Sequence, residues 1–351
     1  MYALQNNNSS VASAATAALP PEALVMQISA GFMLSQALYV AAKLGVADLL
    51  ADEPRSIDEL AKSTGTHAPS LYRFMRALAA SGVFAENPDG QFELTPPAEL
   101  LRTDAPASLR DFVIFIGDDL HWHTWAKALY SAQTGKTAFE HVYGMEIFPY
   151  LAKNPEPAQI FDRAMTSLSA MATPAVIEAY DFSSINKLID VAGGHGSLLA
   201  GILKANPQVA GALFDMPPVI EGAKKLLEKE GVAARCELIA GDFFESVPVG
   251  GDAYLMKHII HDWDDERASQ ILKNCHRAMK IGGKVLLVEM VVASRNEPQY
   301  AKLQDLEMLL FPGGCERTED EYRKLFDANG FKLTRIIPTK SPLNMIEAVK
   351  K

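Results

Sequence analysis

The run Leu188-Ile189-Asp190-Val191-Ala192-Gly193-Gly194-His195-Gly196 constrains the fold of this chain more than any other segment. Its apolar residues around one acid read as a buried strand, and the glycines that follow read as a tight turn into a helix beginning at Ser197. Small residues let the backbone approach a ligand closely, and the first turn of a helix offers free N–H groups. The alternation continues downstream. Strands are expected over 187–192, 211–214, 236–240, 253–257, 284–290, 331–337 and 343–349. A helix over about 264–280 carries Ala268, Ile271, Leu272, Cys275 and Met279 on one face, with Gly282 past its end. Strand–helix alternation of this kind predicts an α/β domain, residues 181–351, built on a mostly parallel, doubly wound, Rossmann-like sheet.

A glycine-rich turn alone serves several cofactors. The dinucleotide fingerprint, started at Gly194 and Gly196, meets Leu199 in its third glycine position, and no phosphate-loop Lys-Ser/Thr follows. Asp190 lies inside the strand end, where it would repel a pyrophosphate and suit a cationic amino acid. Asp215 closes the next strand, the position from which a ribose diol is gripped. Asp242 follows the third strand in Gly241-Asp242-Phe243-Phe244, with an aromatic neighbour suited to stacking an adenine. Each acid alone could be a helix N-cap. Three at successive strand ends suit a ligand with an ammonium, a ribose and an adenine but no phosphate, which describes S-adenosyl-L-methionine.

His261-Asp262-Trp263-Asp264-Asp265-Glu266 follows the fourth strand, at the edge where open α/β sheets place ligands. Glu289 ends the fifth strand, and Glu316 lies in Gly313-Gly314-Cys315-Glu316-Arg317-Thr318. Methyl transfer from a sulfonium needs an in-line nucleophile and a base for its proton, and an imidazole buttressed by a carboxylate meets that need. A phenol near pKa 10 and a histidine near 6.5 leave on the order of 5 kcal/mol for full proton transfer. Carboxylates that stabilise the imidazolium offset this, so acidic hydroxyls, phenolic or enolic, are the expected acceptors. Methylation of an amine or a carbon is the enzymatic alternative. A regulator that senses S-adenosylmethionine is the non-enzymatic one.

The rest of the chain reads as support for this domain. Ser56 and Glu59 form a capping box, a second helix starts near Pro69, and Asn87-Pro88-Asp89-Gly90 joins two short strands. That is a winged helix. Between Arg55 and Arg102 five basic residues face six acidic ones, and the whole chain carries −10, so a nucleic-acid surface is not expected. Residues 23–50 are helical and unusually apolar, explained either by core packing or by burial against a second subunit. Gln27, Ser35, Gln36 and Lys43 argue against a membrane span there. Residues 106–180 read as an aromatic-rich helical connector roofing a pocket, and residues 1–20 as a flexible tail without a signal peptide. Three scattered cysteines predict neither a disulfide framework nor a structural metal, and the cytoplasm is the expected compartment.

Taken together, Asp190–Gly196, Phe214-Asp215-Met216-Pro217, Gly241–Phe244, His261–Asp265 and Gly313–Thr318 resemble the caffeate-type, metal-independent small-molecule O-methyltransferases. The resemblance covers nearly the whole chain after the tail. It implies a class I methyltransferase sheet with an N-terminal winged-helix dimerisation domain, residues 21–105, and an obligate homodimer through the N-terminal helices. It implies His261 as general base, oriented by Glu289 and Glu316. It implies cofactor contacts from Asp190, Gly193, Gly194, Gly196, Asp215, Met216, Asp242, Phe243 and Lys257, and no metal ligands. Asp262, Trp122, Phe161, Met165 and Met308 become the expected acceptor contacts. Ala192 departs from the family pattern at its first glycine. His195 stands where a small residue is common and is expected to point to solvent, and Cys315 replaces a residue that is often basic.

Overall fold

The computed structural model describes residues 20–351; all of the expected tail except Pro20 lies outside the described residues. The chain opens with α1 (Pro21–Lys43), whose N1 proline suits a helix start, and α2 (Val46–Leu49). β1 (Arg55–Ser56), α3 (Ile57–Thr64), α4 (Ala68–Ala80), β2 (Phe84–Glu86), β3 (Gln91–Leu94) and α5 (Pro96–Glu99) follow. The capping box forms as expected: Ser56 Oγ accepts from Glu59 N while Glu59 Oε2 accepts from Ser56 N. β2 and β3 make the hairpin, with Asn87 Oδ1 accepting from Asp89 N and Gln91 N. Strand order β1-β3-β2 completes the small sheet of the wing.

Next come α6 (Arg110–Gly117), α7 (Asp119–Trp125), α8 (Ala128–Thr134), α9 (Ala138–Tyr143), α10 (Ile147–Lys153) and the long α11 (Pro155–Ala179). α1 packs on α4 and α6, and α11 packs on α6 and on the first helix of the sheet domain.

That domain runs β4 (Lys187–Val191), α12 (Ser197–Ala205), β5 (Ala210–Asp215), α13 (Pro217–Lys229), β6 (Cys236–Ala240), β7 (Ala253–Lys257), α14 (Asp265–Ala278) and β8 (Lys284–Glu289). α15 (Ala301–Leu310), α16 (Glu319–Ala328), β9 (Phe331–Pro338) and β10 (Asn344–Lys350) end it. All seven strands lie within one residue of their expected positions. Their order is β6-β5-β4-β7-β8-β10-β9. The first five are parallel, and β10 enters antiparallel between β8 and β9. This is the class I methyltransferase sheet. Leu188, Leu213, Leu255 and Leu286 pack on one face, and Ile189, Ala212, Tyr254 and Leu287 on the other. With both faces covered, function is confined to the carboxyl edge of the strands, and the switch point there lies between β4 and β7, where the strand order reverses.

α1 is the exception to this burial. Val25, Met26, Ile28 and Met33 are each more than 60% exposed. The helix's length and composition alone would let it cross a membrane.

Candidate active site

The glycine-rich turn leaves β4 with Ala192 at φ 56°, Gly194 at φ 60° and Gly196 at φ 79°. Three left-handed residues in five fold the chain back so that α12 starts at once. Gly193 is needed for packing: a side chain there would meet Asp190 and Leu213 at 2.5 Å. Gly194 is different, because nothing lies within 4 Å of where its side chain would be. Its backbone faces open space beside the site.

Asp190 is buried, and burial pushes its carboxyl up to about 7 against the attraction of Lys257. Burial in turn lowers the Lys257 ammonium, which Asp190, Glu289 and Asp262 hold up. Asp215 Oδ2 accepts from Gly194 N at 2.8 Å, and its Oδ1 accepts from Met216 N at 2.7 Å. Asp242 Oδ1 accepts from Phe244 N at 2.7 Å. Phe243 packs with Phe244 and Trp263, and Phe148 reaches Trp263 from the connector at 5.5 Å. Arg267 closes that side, paired with Glu146 at 2.9 Å and lying over the Trp263 ring.

His261 sits in a short 3-10 turn after β7 and is 4% exposed. Its Nδ1 lies 2.7 Å from Glu316 Oε1 and 3.6 Å from Glu289 Oε2, and its Nε2 lies 3.5 Å from Asp262 Oδ1. Burial works against the imidazolium, but Glu289, Asp262 and Glu316 outweigh it and lift the pKa to about 10. Burial also raises the Glu289 carboxyl to about 7 and Asp262 to about 6, with His261 pulling both back. Glu289 Oε1 accepts from Ile259 N and Ile260 N, each at 3.0 Å, which fixes the turn carrying His261.

Asp190 Oδ2, Glu289 Oε2 and Glu316 Oε2 are buried with no hydrogen-bond partner among the described residues. Such a pocket is short of donors and of positive charge. A sulfonium with an ammonium and ribose hydroxyls has what it lacks, so the residues present fit S-adenosylmethionine.

The expected acceptor contacts are less tightly grouped. Phe161 packs with Leu310 and Phe311 and meets Phe115 and Phe148 edge-on. Met165 is half-buried one turn along α11, and Met308 is buried on α15. Trp122 instead meets Phe32 of α1 edge-on at 5.9 Å. Met216 is half exposed.

One expectation is corrected. His195 does not stand in solvent: its ring fills the notch over Gly222 of α13, where a side chain would come within 2.8 Å of Nε2. The missing side chain at Gly222 makes the room.

Several residues support the site in ways the sequence did not show, and two of them, His258 and Asp305, were not singled out from it. Gly314 lies so close under the backbone of His261–Trp263 that a side chain would collide with His261 O. Cys315 N donates to His261 O at 2.9 Å, and Glu316 N donates to Asp305 Oδ1 at 2.9 Å. Buried Arg317 donates to Ile260 O, Trp263 O and Asp265. His258, at φ 55°, sets its ring 4.8 Å from that of His261. Donor atoms of His258, His261 and Glu289 lie within 4.8 Å of one another, a grouping able to hold a cation that spacing did not foretell. The Gly-Gly-Cys-Glu-Arg run held the only sequence signal for these supports.

The O-methyltransferase domain family matches residues 122–332, and the O-methyltransferase dimerisation domain family matches residues 26–104. The chain belongs to the O-methyltransferase family. As a member it is an S-adenosylmethionine-dependent small-molecule methyltransferase, and its dimerisation domain supports a homodimer. A phenazine O-methyltransferase, PhzM, of Lysobacter antibioticus is 46% identical over 331 residues, covering 94% of this methyltransferase and 97% of that protein. The crystal structure of LaPhzM superposes with a TM-score of 0.90 at 45% identity, over 95% of this chain and 100% of that one. The family is not uniform in its acceptor atom. An 8-amino-8-demethylriboflavin N,N-dimethyltransferase of Streptomyces davaonensis is 32% identical over 88% of this methyltransferase and 90% of that protein.

Proposed function

We propose that this enzyme methylates an acidic hydroxyl, phenolic or enolic, of a small aromatic molecule in the cytoplasm, with His261 as the base and no metal in the transfer. The observation that carries this reading is the 2.7 Å contact between His261 Nδ1 and Glu316 Oε1. It commits the Nδ1 proton to the carboxylate and leaves Nε2 to take a proton from the acceptor. Glu289 positions the turn, and Asp262 lies beside Nε2 where it contacts the acceptor. The carboxylates lift the imidazole to about 10, level with an ordinary phenol. Proton transfer from phenol to His261 is then close to balanced, and the cost carried by an ordinary histidine disappears.

S-adenosylmethionine supplies an electrophilic methyl group on a sulfonium. In this reading Asp190, Lys257 and the backbone of Gly193, Gly194 and Gly196 receive its amino-acid end. Asp215 and Met216 take the ribose, and Asp242 and Phe243 the adenine. Phe161, Met165, Met308 and Trp122 enclose the acceptor. Residues 21–105 serve dimerisation, 106–180 roof the acceptor pocket, and 181–351 bind cofactor and carry out transfer.

His261→Ala tests the base. With a phenolic acceptor, turnover should fall by at least about 100-fold, while calorimetric binding of S-adenosylhomocysteine stays within a few-fold of the parent. Retained turnover would sink the proposal. An amine acceptor methylated equally well by parent and variant would favour N-methylation, because its lone pair attacks before any proton must leave.

A further inference from the structure

Beside the proposed acceptor pocket lies a second buried polar cluster that the transfer chemistry does not use. His121 of α7 is 1% exposed, and its Nε2 lies 2.9 Å from Glu307 Oε1 of α15. Trp125 Nε1 donates to the other oxygen, Glu307 Oε2, at 2.9 Å. Asp118 Oδ1 stands 3.6 Å from His121 Nδ1, which is buried with no hydrogen-bond partner. Phe115 and Phe311 clamp the imidazole, at 4.2 and 4.7 Å between ring centres. Two carboxylates around one imidazole leave the cluster negative whether or not the ring is protonated.

Its position ties it to the acceptor. Phe115, on one side of the imidazole, meets Phe161 at 5.7 Å, and Phe311, on the other side, belongs to the cluster that Phe161 packs against. The same helix holds Asp305, which accepts from Glu316 N. The Tyr300 phenol, raised by burial, is raised further by both Glu307 and Glu316, so it lies between the two carboxylates' fields. The cations carried by α11, α15 and the 313–317 loop are already engaged, and Lys257 and His261 stand among Asp190, Glu289, Asp262 and Glu316. Lys302 donates to Arg295 O and Glu297 O, Arg163 pairs with Asp111, and Arg317 is bound to backbone carbonyls and Asp265. Cys315, beside Glu316, carries no positive charge.

We propose that this wall makes the enzyme select acceptors without a carboxylate, and that Glu307, held by His121 and Trp125, is the specificity-determining residue. This rests on the reading of Phe161, Met308 and Trp122 as the acceptor pocket. A second anion there meets Glu307 in a poorly solvated space whose cations are committed to other carboxylates, whereas a neutral or cationic ring does not.

The test compares phenolic acids with their methyl esters, such as 3,4-dihydroxybenzoate and its ester, in the full-length protein. Binding is read by calorimetry with S-adenosylhomocysteine present, and turnover with labelled S-adenosylmethionine. The ester should bind at least about tenfold more tightly than the acid, and lead by a similar factor in kcat/KM. Glu307→Gln should narrow both gaps, chiefly by lowering KM for the acid, and Asp118→Asn should narrow them less. Equal binding of acid and ester by the parent overturns the inference, and so does a gap unchanged in both variants. A binding preference without methyl transfer to either compound upholds the charge selection and removes the hydroxyl-transfer reading. Failure of every acid and ester to bind removes both.

Discussion

At the scale of single residues, two positions decide how far the site can be tuned. Ala192 holds a left-handed backbone angle, φ 56°, that costs a residue with a side chain about 1–2 kcal/mol. Glycine would remove that strain at an entropic cost of about 0.5–1 kcal/mol. Ala192→Gly should therefore stabilise the protein by about 0.5–1 kcal/mol, read as a higher urea midpoint at unchanged slope. The departure from the family's glycine was visible in the sequence; the strain it carries depends on a backbone angle and was not.

His261 is the second position. Its folded pKa, about 10, lies above the ordinary 6.5, so the imidazolium stabilises the fold fully below about pH 6.5. That contribution is lost as the pH rises through 10. Catalysis moves the other way, because the proton shared by imidazole and phenol must be lost before transfer. We expect kcat/KM to climb with pH over the range in which unfolding free energy falls, and His261→Gln to flatten that part of the stability curve.

Among the elements, the loop 313–317 is the one whose importance is least evident from its length. It is pinned to the His261 turn by Cys315 N, by Arg317 and by the close approach at Gly314. Gly314→Ala would drive a methyl group into three backbone atoms and push Glu316 away from Nδ1. Turnover should fall to near that of His261→Ala, with a loss of about 2–4 kcal/mol in stability, measured by denaturant melts beside the activity assay. The strands were legible because β4, β5, β7 and β8 are near-continuous apolar runs bounded by turns, a pattern that burial on both faces imposes. His261 and Glu289 were legible because they follow successive strands, β7 and β8, and Glu316 because it stands in the Gly-Gly-Cys-Glu-Arg-Thr run. His258, Asp305 and the His121–Glu307 pair were not. They meet across 186 positions in the case of His121 and Glu307, and no local periodicity encodes such a contact.

For the whole molecule, we expect the N-terminal helix to govern assembly. Ile28 is 71% exposed and Met26 equally so, on a helix that packs inward only through its later turns. Ile28→Asp should shift the protein from dimer to monomer in light scattering, and the released chain should aggregate or lose stability because the apolar stripe then faces water. The sequence showed the excess of apolar residues but left two explanations open. The fold buries only three residues of α1 within the chain, which favours burial against a second subunit.

The open stripe on α1 also has a kinetic meaning. A surface that is completed only by a second chain makes the population of finished enzyme follow the law of mass action, rising with the square of protomer concentration while dimers are scarce. Dilution would then act on this catalyst as an inhibitor does, and a dilution series of specific activity would trace the dissociation constant of the pair.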